Sequence, residues 1–575
     1  MAKLLLLLIA LLTTQVWATP DAVVTSLDYA NGIFTSVVKN QGDTAIPASN
    51  IIGVGYRVDG VSKTWGSVPG PLAAGASVTL GSNGGVYVIP VGTHVIMATV
   101  DDVNRFVESN EANNKLSKTI EGNPPPITKS GAAFPGAEGG GALSLGGRGG
   151  NVIEVTNLND SGTGSLRACI VATGARICVF RVGGTLKLLS QLTVVNPYLT
   201  IAGQTAPGGG ILLNGVNLPN ANNMIRLATH DVILSYLRIR TGRGTATSLN
   251  SGTAISIEGG SHNDIIDHIS ASWTRDESIG LWGNANLIYN VTLAWVLSAE
   301  GLSPHSTGFL MGSDSSAVAN QMTNIDIHHT ITMNNSHRNP LVKIKSFRFV
   351  NNIVYNWNYY ATMIGQGCNA DLISNSYKWG PLSHSDPYEI EVYPTSGAKD
   401  QATGATSVYI VGNKGPRNAN PDNNNWAMVG KVSGENGTPQ GALSTTYKRN
   451  TALSPLMFPI TVEPVARLET KLLPTVGASQ RLSCEGGWIA NRDSVDTRLI
   501  SQYQTNTGIK TLVSNESQVG GFPVIADGTP CVDTDHDGMP DVWETAHQLN
   551  PNNATDRNTT ASNGYRNLEN YLAGF

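Results

Sequence analysis

Apolar and polar positions alternate with a period of two over short stretches from Pro20 to about Ile120. Ile33-Phe34-Thr35-Ser36-Val37-Val38 and His94-Val95-Ile96-Met97-Ala98-Thr99-Val100 are two of them, with Gly and Asn in between. Alternation bounded by turn residues is the mark of half-buried strands, and a series of them predicts a small β-sandwich over residues 19–121. Gly122-Asn123-Pro124-Pro125-Pro126 follows. Consecutive prolines favour extended polyproline geometry, so 122–129 reads as a stiff linker.

Beyond residue 130 the pattern changes. Apolar triplets closed by Asn or a small polar residue recur at Leu287-Ile288-Tyr289-Asn290, Phe349-Val350-Asn351-Asn352, Leu372-Ile373-Ser374-Asn375 and Val408-Tyr409-Ile410-Val411-Gly412-Asn413. Short strands repeating every few tens of residues predict a solenoid. Taken as one series, the four asparagines are either stacked, inward-facing residues that hydrogen-bond from coil to coil, or turn residues between strands. Both readings lead to a parallel β-helix over 130–530. The predicted fold class is all-β: a right-handed single-stranded parallel β-helix preceded by an immunoglobulin-like β-sandwich and followed by a small calcium-binding tail at 531–575.

The opening residues add a destination. Lys3, an apolar run from Leu4 to Leu12 and Val16-Trp17-Ala18 have the layout of a signal peptide, 1–18, cut after Ala18. The run is about half the roughly 20 residues a membrane-spanning helix needs, which predicts a secreted chain with no membrane anchor after cleavage. The formal net charge is −5, and one unit more negative once Lys3 leaves with the leader. That balance speaks against a nucleic-acid partner. Five cysteines in 575 residues cannot form a disulfide lattice. Cys169 and Cys178 are close enough for cheap loop closure and are expected to pair; Cys484 with Cys531 is a second candidate, leaving Cys368 over.

The chemistry-bearing motifs lie mostly in the solenoid. Phe134-Pro135-Gly136-Ala137-Glu138-Gly139 and Gly146-Gly147-Arg148-Gly149-Gly150 are rich in glycine, yet no Lys-Ser/Thr follows and no βαβ unit surrounds them, so they make no phosphate loop. They continue into Val155-Thr156-Asn157-Leu158-Asn159-Asp160-Ser161-Gly162-Thr163-Gly164-Ser165-Leu166-Arg167 and Ile201-Ala202-Gly203-Gln204-Thr205-Ala206-Pro207-Gly208. With Ile266-Asp267-His268-Ile269-Ser270-Ala271-Ser272-Trp273-Thr274-Arg275-Asp276-Glu277 and Asn334-Asn335-Ser336-His337-Arg338-Asn339-Pro340, this central region resembles the pectate lyases of polysaccharide lyase family 1. The N-terminal segment, through Val38-Lys39-Asn40-Gln41-Gly42 and Val107-Glu108-Ser109-Asn110-Glu111-Ala112-Asn113-Asn114, resembles CARDB modules, which accompany bacterial surface and secreted proteins.

The resemblance implies β-elimination on a uronate polymer, polygalacturonate or a related pectin, by a monomeric enzyme. A proton leaves C5 while the glycosidic oxygen leaves C4. Ca²⁺ neutralises the neighbouring carboxylate, and a positioned base must reach C5. The resemblance places the base at Arg338 in Arg338-Asn339-Pro340, a carboxylate-holding cation at Lys343, calcium ligands at Asp276 and Glu277, and a structural pair at Asp267-His268. Two positions depart from the family pattern. Thr253-Ala254-Ile255 stands where an Asp is usual, and the loop Glu300–Gly308 holds no substrate-binding lysine. His305 in that loop, Arg275 and Lys345 are the remaining candidates for substrate contact. Two other functions remain open: a lyase fold that only binds polysaccharide, and a glycoside hydrolase with two carboxylates about 5–9.5 Å apart.

The tail, Asp533-Thr534-Asp535-His536-Asp537-Gly538-Met539-Pro540-Asp541-Val542-Trp543-Glu544, sets acids at positions 1, 3, 5, 9 and 12 of a loop with Gly at 6. That is the spacing of an EF-hand calcium loop. It predicts one structural Ca²⁺ held by Asp533, Asp535, Asp537, Asp541 and Glu544. Asn563–Leu572 resembles the second half of such tails with most of its loop acids gone.

Overall fold

The computed structural model describes every residue except 1–17, 31–32, 83–86, 88, 90–91, 123–130, 220–221, 246–250, 285, 383–386, 396–399, 436 and 454–458. The expected signal peptide and nearly all of the proline-rich linker lie outside the described residues. The chain divides into two units, Met1–Pro126 and Ile127–Phe575.

In the first unit, Ala22–Ala30, Ile33–Asn40 and Ser77–Gly81 form one antiparallel sheet. Val61–Pro69, Ile51–Val58, Gly92–Val100 and Lys115–Gly122 form a second. The alternation dictates which side chains turn inward: Phe34 and Val38 from one sheet meet Val54, Tyr56, Ile96 and Ala98 from the other in a shared core. Glu108, in the connection between Gly92–Val100 and Lys115–Gly122, is buried and accepts hydrogen bonds from Ala22 N at 2.5 Å and Asn114 Nδ2 at 2.6 Å.

The second unit is a parallel β-helix. Three sheets run its length, and each coil adds one strand to each. The first extends from Asn151–Val155 to Ser407–Val411, the second from Gly184–Lys187 to Ser376–Lys378, and the third from Leu192–Val194 to Val429–Val432. All neighbours pair in parallel until the final strand, Pro439–Ala442, which turns back antiparallel. The coils therefore end well before residue 530. From 459 onward the chain folds against the solenoid, and the helices Leu468–Thr475 and Ser494–Thr505 pack Leu468, Leu472 and Leu499 onto Leu297, Ile331 and Ile353 of the second sheet.

From Val232–Ser235 onward, each coil turns out of the first sheet through one residue with positive φ: Tyr236, His268, Trp295, His329, Asn351, Ser374 and Gly412. The left-handed conformation is what makes so sharp a corner, at a cost for residues other than glycine. Stacking of successive coils offsets it. Tyr236, His268, Trp295 and His329 form a column of rings with centroids 4.4, 5.4 and 4.6 Å apart. The residue after each corner points inward and is buried. It is Leu237, Ile269 and Val296 in early coils, then Thr330, Asn352, Asn375 and Asn413.

The asparagines form the coil-to-coil ladder. Asn352 Nδ2 donates to Asn375 Oδ1 at 3.0 Å, Asn375 to Asn413 at 2.9 Å, and Asn413 to Asn425 at 3.2 Å. Each amide thus meets the partner that a dry interior demands. Asn290 is a correction to the single series. It sits at a different corner with φ +53, in a separate ladder with Asn263 at 3.0 Å and Asn324 at 2.9 Å.

Candidate active site and metal sites

Asp276, Glu277, His305 and Arg338 come from loops joining the second sheet to the third on successive coils, and Lys343 directly follows the third-sheet strand Leu341–Val342 on the coil of Arg338. Asp276 and Glu277 follow Trp273, whose φ of +56 bends the chain out of Ser270–Ser272 before Ile279–Gly283 begins. Arg338 sits on a similar bend with φ +59, just before Leu341–Val342. A parallel bridge between Thr307 and His337 holds the two later loops in register.

Stacking brings the side chains together. Arg338 Nη1 pairs with Glu277 Oε1, and its Nη2 lies 3.0 Å from Glu435 Oε1. His305 Nδ1 lies 2.8 Å from Asp276 Oδ1. Thr253, at the position lacking the usual acid, still faces the site and donates to Glu277 Oε2 at 3.4 Å. Lys343 Nζ is 2.5 Å from Glu435 Oε2 and 2.7 Å from Asp400 Oδ2.

Charge crowding sets the protonation states. Burial, then the adjacent Asp276, pushes the Glu277 carboxyl up to about 7. Burial acts the same way on Asp276, but hydrogen bonds to His305 and Glu277 outweigh it and leave the group below its ordinary value. His305 is raised by its bond to Asp276. Burial would lower the Arg338 guanidinium, yet the charges of Glu277 and, more weakly, Glu435 and Asp276 hold it above its usual value. His337, by contrast, is pushed down to about 3 by burial beside Arg338.

Three ligand atoms from Asp276, Glu277 and His305 lie within 4.8 Å of one another. Two are carboxylate oxygens, which suit Ca²⁺; the imidazole nitrogen does not, and it is already turned to Asp276. Asp276 and Glu277 are the residues of this cluster whose chemistry fits Ca²⁺. A cavity of about 530 Å³ lies elsewhere, on the outer face of the first sheet beside Tyr236, His268, Trp295 and Trp488.

The probable pectate lyase C of Aspergillus fumigatus is 35% identical over 446 residues, covering 76% of this chain and 92% of that protein. The chain belongs to the pectate lyase family. The probable pectate lyase C of Emericella nidulans is 34% identical over 439 residues, covering 76% and 91%. Among solved structures, pectate lyase II of Xanthomonas campestris aligns over 60% of this chain and 98% of its own, at 16% identity and a TM-score of 0.39. A family model of CARDB matches residues 21–118, so this pectate lyase relative carries a CARDB module before its β-helix.

Other expected positions divide. Asp267 Oδ2 is 2.7 Å from His268 Nδ1, and the His268 ring lies inside the aromatic column, far along the coil from the acids. Arg275 requires correction as a substrate contact: only 1% of its surface is exposed, and its guanidinium packs against Gly252. Both candidate disulfides, Cys169–Cys178 and Cys484–Cys531, are formed, and Cys368 is buried and free.

In the tail, Asp533, Asp535 and Asp537 converge, and Asp537 and Glu544 converge with Asp556. Both carboxylate oxygens of Asp535 and Glu544, with one each of Asp537 and Asp556, are buried without a hydrogen-bond partner. So many unpaired acceptor oxygens around one point are costly unless a cation joins them, and an all-oxygen set suits Ca²⁺. Asp541 is a second correction. It begins the helix Asp541–Ala546 and accepts from Thr534 N at 2.7 Å and Thr534 Oγ1 at 2.6 Å, which turns it from the cluster. Asp556 takes its place. It lies outside the loop, and only Asn552-Asn553-Ala554-Thr555-Asp556, a turn-rich run ending in an acid, hinted at it.

Proposed function

We propose that this polysaccharide lyase is secreted and cleaves polygalacturonate or a related pectin by calcium-dependent β-elimination. The observation that carries the reading is the placement of the Arg338 guanidinium against the Glu277 carboxylate, beside Asp276. When bound, Ca²⁺ would draw negative charge from the substrate carboxylate and stabilise the enolate-like transition state. Asp276 and Glu277 would hold it, with Thr253 supplying only a hydroxyl.

Arg338 takes the C5 proton as the C5–H electron pair becomes the C4=C5 double bond and the C4–O bond breaks onto the leaving sugar. Glu277 and Glu435 favour the protonated guanidinium. Engaging those acids elsewhere lowers its proton affinity, and that is the condition for it to act as a base. Lys343 and His305 flank it and orient the polymer. Asp267 and His268 serve the corner stack. Asp276 and Glu277 stand side by side and do not flank a bond, which disfavours hydrolysis. Two disulfides suit an oxidising compartment, and among the described residues no helix is long and apolar enough to cross a membrane.

Incubation of the purified protein with polygalacturonate and Ca²⁺ tests the proposal. A 4,5-unsaturated product, followed by its absorbance, is expected. Reducing ends without that chromophore would mean hydrolysis, and binding without either product would mean a non-catalytic protein.

A further inference from the structure

The third sheet carries an aromatic residue that the proposed chemistry leaves unused. In Ile279–Gly283, Ile279 and Leu281 point into the core, so Gly280 and Trp282 face outward. Trp282 pairs with Gly312 on the next coil, and Gly312 and Lys343 directly follow the paired residues Met311 and Val342, which are core residues. Trp282, Gly312 and Lys343 therefore stand in one outward column across three coils. A Cβ on Gly312 would come within 2.6 Å of Trp282 Cζ3 and 3.2 Å of its Cη2. Only glycine leaves room for the indole, which lies over this backbone between its own coil and that of Lys343. The indole is half-buried, and its N–H has no hydrogen-bond partner among the described residues. On its other side Glu258 pairs with Trp282 in register, but that carboxylate is held by Arg226 at 2.6 Å. The column thus presents an apolar ring and one donor at Trp282, and a cation at Lys343.

We propose that Trp282 is a sugar-stacking platform that makes the cleft favour long polygalacturonate chains over short ones. Neighbouring strands are roughly 4.8 Å apart, so the two coil steps from Lys343 to Trp282 span about 10 Å, the length of about two sugar units. A chain whose carboxylate meets Lys343 lays the apolar C–H face of a unit farther along on the indole, and a hydroxyl of that unit accepts from the indole N–H. Burying the ring against the sugar costs little order, because Gly312 already holds the indole in place. The carboxylate of the stacked unit stays in water, and recognition of free carboxylates remains with Lys343 and the metal. This role rests on the lyase reading for the kind of polymer and adds a binding residue outside the proposed catalytic set.

Affinities for digalacturonate and hexagalacturonate are measured by calorimetry with Ca²⁺, in the full-length protein carrying Arg338→Ala so that the oligomers stay intact. A dimer seated at Lys343 falls short of Trp282, whereas the hexamer reaches it. Adding Trp282→Ala is expected to weaken hexamer binding about tenfold and dimer binding less than about twofold. Trp282→Phe, which keeps a ring, is expected to retain most of the hexamer affinity. Gly312→Ala, which pushes the indole off the backbone and leaves every tryptophan in the chain, is expected to act like Trp282→Ala. With Arg338 in place, Trp282→Ala is expected to raise KM on polygalacturonate about tenfold and to leave kcat within about twofold. Equal losses on both oligomers, no loss on the hexamer, or no hexamer binding before Trp282 is changed would overturn the platform. Absence of unsaturated product from the wild type would instead sink the lyase reading, and the calorimetric comparison would still decide on Trp282.

Discussion

Arg338 and Glu277, 61 residues apart in the chain, form an ion pair because their loops leave the solenoid at the same corner on nearby coils. The pair fixes the guanidinium and holds its proton. Replacing Arg338 by Ala removes the proposed base and is expected to lower kcat by about 10²–10⁴-fold. It also leaves Glu277 buried without its partner, at a cost of about 1–3 kcal/mol that the large core absorbs. Unsaturated-product absorbance and a thermal melt read the two effects separately; an active, folded Arg338→Ala protein would remove Arg338 from the chemistry.

The tail predicts its own metal dependence. Glu544→Gln and Asp556→Asn each remove an unpaired buried oxygen from the cluster and are expected to weaken Ca²⁺ protection of residues 531–575 by about tenfold or more. Asp541→Asn, whose carboxylate faces Thr534, is expected to change it less than about twofold. Hydrogen exchange across the tail during a calcium titration distinguishes them.

The asparagine ladder makes a stability prediction. Asn375 donates to Asn413 and accepts from Asn352 in a dry interior, so Asn375→Ala strands the Asn352 donor on one side, takes a donor from Asn413 Oδ1 on the other and leaves a cavity. A loss of about 2–4 kcal/mol is expected. Urea unfolding of the wild type and the variant gives the difference.

Glu108 makes the first unit sensitive to pH. Burial pushes its carboxyl up to about 7, although bonds from Ala22 and Asn114 oppose the shift. An unfolded glutamate titrates near about 4.3, so the folded state holds the proton more tightly. This contribution is full below about 4.3 and is lost as pH rises through about 7, a difference of roughly 1–3 kcal/mol. Glu108→Gln is expected to flatten that dependence, as read by proteolysis of residues 18–122 in urea at pH 5 and pH 8.

Whatever depends on spacing within one strand, turn or loop was legible in the sequence. Period-two alternation located the strands of the first unit, the apolar triplets announced a solenoid, and Asp533 to Glu544 carried their calcium spacing in a single loop. Arg338 and Glu277 could be named because short motifs contain them. What lay between coils could not be read the same way, because the loops differ in length. Ladder partners are 22, 23 and 38 residues apart, so periodicity does not fix which residues face one another. Asn290 therefore stands in a different column from Asn352, Asn375 and Asn413, and Arg275, a candidate for substrate contact, is buried against Gly252. Glu435, 97 residues from Arg338, has no local signature, and Asp556, which joins the tail cluster instead of Asp541, has only the turn-rich run that ends in it. The tertiary structure decided these because a charge finds its partner through space, and only the stacking of coils brings the partner within reach.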